Sequence, residues 1–162
     1  MKKLIIIRHA EAVNKDHFQD DFERPLTEKG REDASSIGKC LKEKNIFPNV
    51  ILSSPAIRAI STAECIAKEI GYKKEIQQNQ YIYEAYVHTL QEIIEYVEDT
   101  NDTVFLIGHN PSISALAYML GDLKEIIPTS ATVEINFNVT SWVDISKENH
   151  TLISYDPLPL NT

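Results

Sequence analysis

Two histidines and two arginines of this sequence stand where short apolar segments end. Arg8 and His9 come directly after an isoleucine run, Arg58 follows a Ser-Ser-Pro segment, and His109 follows a second apolar run. A neutral imidazole is a nucleophile that can form a covalent bond to phosphorus. Guanidinium groups present paired N–H donors that match the oxygens of a phosphoryl group. These residue types therefore predict phosphoryl chemistry.

Three apolar runs must position these groups, at residues 3–7, 50–52 and 103–107. Continuous apolar runs of this length are typical of strands that are covered on both faces of a sheet. Ligands of parallel sheets bind beyond the carboxyl ends of the strands. We therefore expect Arg8, His9, Arg58 and His109 to gather at one edge of a sheet.

Helices are predicted from apolar periodicity and from capping signals. They span 27–44 with Thr27 as N-cap, 55–70 with Ser54 as N-cap, Pro55 in first position and Gly71 as the stop, 88–99, and the segment from Asn110-Pro111 to a stop at Gly121. A loop is expected at 14–25, extended chain at 75–83, and strands at 132–139 and 151–155. Helix N-termini beside strand ends favour anion binding.

The order of these elements predicts an α/β fold, a three-layer sandwich with a mostly parallel central sheet flanked by helices. A length of 162 residues fits one domain, which we expect to span residues 1–162.

Several ordered motifs of the chain resemble the histidine phosphatase superfamily, also called phosphoglycerate mutase-like. They are IIIRHAEA at 5–12, RPLTEKG at 24–30, SSPAIRAISTA at 53–63, YEA at 83–85 and IGHNPSI at 107–113. The short length and the RPLTEKG segment are most similar to the single-domain SixA-type phosphohistidine phosphatases. The resemblance implies the phosphoglycerate mutase-like fold.

The resemblance also implies roles for individual residues. His9 matches the nucleophilic histidine, Arg8 and Arg58 match the phosphate-binding arginines, and His109 matches the second pocket histidine, with roles in catalysis and phosphate binding. Glu84 stands where many members carry the proton donor. Ala10 departs from the family pattern, which has glycine there, and alanine would strain the site if that position required a positive φ.

The chemistry follows from the residue types. A neutral His9 would attack phosphorus, and a backbone carbonyl would hold its tautomer by accepting a hydrogen bond from the other ring nitrogen. Glu84, with Glu11 as the next candidate, would protonate the leaving group and then activate water. Arg24 is interpreted as a salt-bridge or loop residue.

Composition excludes several other classes. A net charge of −8 argues against nucleic acid as a partner. The opening apolar run is too short for a signal peptide, and no stretch is long enough to cross a membrane, so we expect a cytoplasmic protein. Neither His9 nor His109 is followed by further ligands at metal spacing, so we expect no metal and no cofactor. Cys40 and Cys65 fall on apolar helix positions, which favours buried thiols over a disulfide.

Three functions remain open. The first is a metal-independent phosphatase acting on phosphohistidine in proteins, with a histidine-phosphorylated signalling or phosphotransfer domain as partner, or on a related phosphoprotein. The second is a small-metabolite phosphomonoesterase or phosphomutase acting on a small phosphoester. The third is a non-catalytic phosphate-binding module.

Overall fold

The computed structural model describes residues 1–17 and 20–157. Within these residues one sheet contains six strands. The strands are β1 (Lys2–Arg8), β2 (Val50–Ser53), β3 (Gln77–Gln78), β4 (Thr103–Gly108), β5 (Thr132–Phe137) and β6 (His150–Asp156). Their order across the sheet is β3-β2-β4-β1-β5-β6.

The sheet is parallel on one side and antiparallel on the other. β1 pairs in parallel with β4, β4 with β2, and β2 with β3. β5 runs antiparallel to both β1 and β6. The prediction of a mostly parallel central sheet is confirmed, and the antiparallel pair comes from the two strands expected near the end of the chain.

Four α-helices in the described part of the chain cover the two faces of the sheet. They are α1 (Glu28–Glu43), α2 (Ile57–Ile70), α3 (Val87–Glu95) and α4 (Ser112–Gly121). Successive residues of β1 point to opposite faces. Ile5 and Ile7 pack in the cluster of α1 and α2, whereas Leu4 and Ile6 pack in the cluster of α3 and α4. The three-layer sandwich is therefore confirmed.

Helix α1 begins as predicted, because the Thr27 hydroxyl accepts a hydrogen bond from the Gly30 backbone N–H. The predicted start of α2 was wrong. Its N-cap is Ala56, which makes no side-chain cap, whereas Ser54 and Pro55 precede the helix. Its end at Gly71 is confirmed, with φ of 74° in the left-handed region.

Other boundaries differ from the prediction by a few residues. The segment 75–83 contains only the two-residue β3 and the 3-10 turn Gln80–Ile82. Helix α3 is shorter than 88–99, and α4 includes Gly121 and is capped by Asp122. The loop expected at 14–25 holds two 3-10 turns, Lys15–His17 and Asp21–Glu23, with residues 18 and 19 outside the described part.

The single-domain boundary stays a prediction, since residues 158–162 also lie outside the described part. Cys40 and Cys65 are free thiols rather than a disulfide, and both are partly buried instead of buried. In the segments that the structure describes, no helix combines the length and apolar character needed to cross a bilayer.

Candidate active site

Three strand ends bring the chemical groups together. Arg8 at the end of β1 lies in register with Gly108 at the end of β4, so His9 and His109 are neighbours across the two strands. Their ring centroids are 5.0 Å apart. The end of β2 joins them, because the Ser54 N–H donates to the Ile107 carbonyl at 3.1 Å.

The His9 imidazole is held in one tautomer. Its Nδ1 donates to the backbone carbonyl of Ala10 at 2.8 Å, as expected, so its Nε2 carries the free lone pair. The side chain is 6% exposed. Burial, together with the charges of Arg58 and Arg8, lowers the pKa of His9 to about 4, although the bond to Ala10 opposes the shift. His9 is therefore neutral near pH 7.

Ala10 fits its position without strain. It is fully buried and its φ is not positive, so the position does not require glycine. Its backbone N–H donates to the Thr62 hydroxyl at 2.9 Å, and that hydroxyl donates to the Arg58 carbonyl at 2.7 Å. Thr62 thus connects the backbone that holds His9 to the helix that carries Arg58.

The next residue is fixed by the start of α1. The Glu11 carbonyl accepts from the Thr27 N–H at 3.0 Å. A Cβ added at Gly30 would stand 2.1 Å from the same carbonyl oxygen, so only glycine allows this approach. The RPLTEKG segment therefore supports the loop that follows His9.

Both arginines reach the pocket from different elements. Arg58 lies in the first turn of α2, is 5% exposed, and is gripped by Asp21, with Nη1 on the backbone carbonyl at 2.8 Å and Nη2 on Oδ2 at 2.9 Å. Arg8 donates from Nη1 to the Ile127 carbonyl at 3.2 Å. The Nε atoms of Arg8 and Arg58 are buried and have no hydrogen-bond partner among the described residues.

His109 is buried and lines the pocket together with Arg58. Its Nε2 lies 2.8 Å from the Ser54 hydroxyl, whereas its Nδ1 has no partner in the described part of the chain. Burial, the neighbouring His9 and the charge of Arg58 lower the pKa of His109 to about 3. His109 is therefore neutral near pH 7.

Sequence reasoning did not find Asp21, which joins several groups of the pocket. Its Oδ1 accepts from Arg24 at 2.9 Å, and its Oδ2 accepts from the Tyr83 hydroxyl at 2.8 Å and from Arg58. Burial disfavours the charge, but the Tyr83 hydrogen bond and the two arginines outweigh it and lower the pKa of Asp21 to about 2. Arg24 is a salt-bridge residue, as interpreted, and it also lines the opening beside His9.

The two candidate acids lie on different sides of the site. Glu84 is exposed, has a left-handed φ of 54°, and lines a cavity of about 170 Å³ together with Arg58 and His109. Glu11 lines a second opening beside His9, and its carboxylate accepts from the Thr27 hydroxyl at 2.9 Å. Unlike Glu11, Glu84 makes no side-chain hydrogen bond within the described residues, so its carboxyl can move a proton without breaking a contact of the fold.

Comparison with known proteins identifies the family. The sequence profile of the histidine phosphatase superfamily (branch 1) matches residues 4–101. The chain belongs to this superfamily. Its fold is that of the protein histidine phosphatase SixA in complex with tungstate, with a TM-score of 0.83 at 21% identity over 98% of both chains. SixA of Agrobacterium tumefaciens aligns with a TM-score of 0.78 at 25% identity, over 95% of this chain and 97% of that one.

Sequence relatives of this superfamily member are more varied. A 2,3-bisphosphoglycerate-dependent phosphoglycerate mutase of Bifidobacterium longum is 41% identical over 63 residues, which cover 38% of this chain and 26% of the mutase. The chain thus matches only about a quarter of that relative. An uncharacterized protein of Mycobacterium tuberculosis is 26% identical over 160 residues, which cover 92% of this chain and 98% of that protein.

Proposed function

We propose that this chain is a metal-independent phosphatase that hydrolyses phosphohistidine in proteins through a covalent intermediate on His9. The observation that carries the proposal is the His9 imidazole, which is neutral, held by Ala10 through Nδ1, and adjacent to Arg8 and Arg58. The SixA-like fold and membership of the superfamily support the choice of phosphohistidine.

The first step is attack of the His9 Nε2 lone pair on phosphorus. A bond forms between Nε2 and phosphorus while the bond to the leaving group breaks, and the leaving group keeps the electron pair. Because Nδ1 donates to Ala10, the positive charge that develops on the ring is stabilised by a carbonyl dipole. Water then attacks phosphorus, and inorganic phosphate and neutral His9 are released.

Donors around the pocket stabilise the transferring phosphoryl oxygens. Arg8 and Arg58 line the opening beside His9, and each guanidinium offers N–H donors and one delocalised positive charge to these oxygens. The Ser54 hydroxyl oxygen accepts from the Ala56 N–H at 3.2 Å, so its own hydrogen is free for Nε2 of His109. With that donor, we infer that His109 is neutral and carries its proton on Nδ1.

Glu84 serves the leaving group and the water. At the edge of the cavity, its carboxyl donates a proton to a departing oxygen or nitrogen and then accepts one from the attacking water. Glu11 lies on the opposite side of the pocket, so it is the weaker candidate. The cycle needs no metal, because His9, the arginines and Glu84 supply the nucleophile, the charge and the proton.

The experiment measures whether a labelled phosphoryl group becomes covalently attached to His9. Enzyme quenched after mixing with a labelled phosphohistidine peptide should carry base-stable, acid-labile phosphate, and His9→Ala should lose both the label and turnover. His150→Ala is the matched control, because His150 pairs with Phe137 at the opposite edge of the sheet. Turnover that survives in His9→Ala, or that stops with EDTA and returns with added metal, would contradict the proposal.

A small-metabolite phosphomonoesterase or mutase is the second candidate, since a phosphoglycerate mutase shares 41% identity over 63 residues. The two differ in leaving group. An alkoxide needs a proton in the transition state, whereas imidazole has a conjugate acid with a pKa of about 6.5 and needs less help. Glu84→Gln should slow alkyl phosphate hydrolysis by about 10² to 10⁴-fold and phosphohistidine turnover far less. A non-catalytic binding module would show no turnover of either.

A further inference from the structure

The cavity beside the phosphate-binding groups has an unequal distribution of charge. It is about 170 Å³ in volume, and its charged lining consists of the carboxylates of Asp21 and Glu84 and the guanidinium of Arg58. Arg58, His109 and Asn110 line both this cavity and the opening beside Arg8 and His9. The cavity is therefore continuous with the groups that would hold the phosphoryl oxygens.

Phosphate binding would leave this cavity negative. Arg58 is the arginine of the described lining, and a bound phosphoryl group would offset its charge. Asp21 cannot leave the wall, because Arg58, Arg24 and the Tyr83 hydroxyl all bond to its carboxylate. The Asp21 carboxylate, together with the Glu84 carboxyl that transfers its proton to the leaving group, then faces whatever group is attached to phosphorus.

We infer that this cavity receives the leaving group and selects phosphoryl donors whose leaving group is positively charged, against donors that carry a carboxylate or a second phosphate there. The inference rests on the proposed function, since it concerns the same phosphoryl site. Asp21 acts here as a specificity-determining residue through its charge. Asp21 also positions Arg58 through their contact, so the test has to separate the effect of its charge from the effect of this positioning.

The test uses two phenyl phosphates of opposite charge. One carries a trimethylammoniomethyl group and the other a carboxymethyl group, so that a methylene separates each charge from the phenol. A like charge within a pocket is disfavoured relative to an opposite one by Coulomb interaction. We expect kcat/KM to favour the cationic substrate by about tenfold or more, and added salt to reduce the ratio.

Variants separate charge from positioning. Asp21→Asn should bring the ratio of kcat/KM for the two substrates close to one, even if both rates fall because Arg58 is less well held. Asp20→Asn is the matched control, since the exposed Asp20 carboxylate bonds only to the Phe22 N–H among the described residues, and it should keep the wild-type ratio. Ala85→Lys adds a positive charge to the same wall and should favour the anionic substrate.

Failure of this inference is distinguishable from failure of the proposed function. Turnover of both substrates through phosphorylated His9 with equal kcat/KM would overturn the inference alone. Absence of any turnover would overturn the function. Calorimetry of both compounds on His9→Ala then still decides the selectivity, because equal affinities overturn it and preferential binding of the cationic compound supports it.

Discussion

The Thr62 hydroxyl offers a sharp test of how the nucleophile is held. Thr62→Val keeps the volume of a fully buried side chain and removes its hydroxyl. The Ala10 N–H then loses its acceptor at 2.9 Å, and Ala10 is the residue whose carbonyl fixes His9. The substitution therefore acts on His9 without touching it.

The expected loss of stability follows from the unpaired N–H. A buried backbone donor without a partner costs about 1–3 kcal/mol, whereas the Arg58 carbonyl keeps its bond within the helix. At roughly 2–4 °C for each kcal/mol in a domain of this size, Tm should fall by roughly 2–12 °C. Thr62→Ser is the control, because it keeps the hydroxyl and loses one methyl group, at about 0.8 kcal/mol.

The expected loss of rate comes from the orientation of His9. Release of the Ala10 backbone should lower the rate of His9 phosphorylation by about tenfold, or about 1.4 kcal/mol. Rapid-quench measurement of phosphoenzyme formation and thermal unfolding of both variants make the comparison. If Thr62→Val loses stability but forms phosphoenzyme as fast as Thr62→Ser, the hydroxyl supports only the fold and the reasoning is wrong.

The remaining predictions concern pH and two other positions. The pKa of His9, lowered to about 4, should place the acid limb of kcat/KM near pH 4, and a limb near the ordinary value of about 6.5 would refute its burial. Since the folded pKa values of His9 and His109 lie below those of the unfolded chain, stability present above about pH 6.5 should fall as the pH drops towards 4, measurable by denaturant unfolding. Arg58→Lys keeps the charge but loses the fork held by Asp21, so kcat/KM should fall at least about tenfold, and unchanged kinetics would assign Arg58 to structure. Ala10→Gly should lower the free energy of unfolding by roughly 1–2 kcal/mol, because a buried methyl is lost and the unfolded backbone becomes freer. It should not raise kcat, and a clear gain in kcat would show that alanine strains the site.

The elements that carry the site were predictable because their signals are strong. Strands buried on both faces must be continuously apolar, as in β1 and β4, and the residue after each strand end is then fixed in space. The pairing of β1 with β4, which the structure shows, then makes His9 and His109 neighbours. The cap of α1 was equally clear, because the Thr27 hydroxyl accepts from the Gly30 N–H three residues on, as a local capping rule predicts.

The start of α2 was mispredicted because Ser54 has a second partner. A serine before proline is a common N-cap, but here its hydroxyl lies between the Ala56 N–H and His109, and the helix begins only at Ile57. Local capping rules do not include a bond to a residue 55 positions away.

Asp21 could not be found from local pattern. It lies in a polar loop where carboxylates are usually solvated, and its importance comes from Tyr83 and Arg58, which are distant in sequence. The left-handed φ of Glu84 was also invisible, since nothing in the YEA motif requires it. Tertiary contacts decide both cases.

The register of Arg8 with Gly108 links two segments that are far apart along the chain. During synthesis, Arg8 and His9 leave the ribosome long before His109 exists, so no early folding intermediate contains a complete pocket. Contacts of such large sequence separation form slowly, because the intervening chain must first be ordered. We therefore expect turnover to recover late after dilution from denaturant. Its recovery should report completion of the β1–β4 pairing, whereas the helical circular dichroism signal should return earlier.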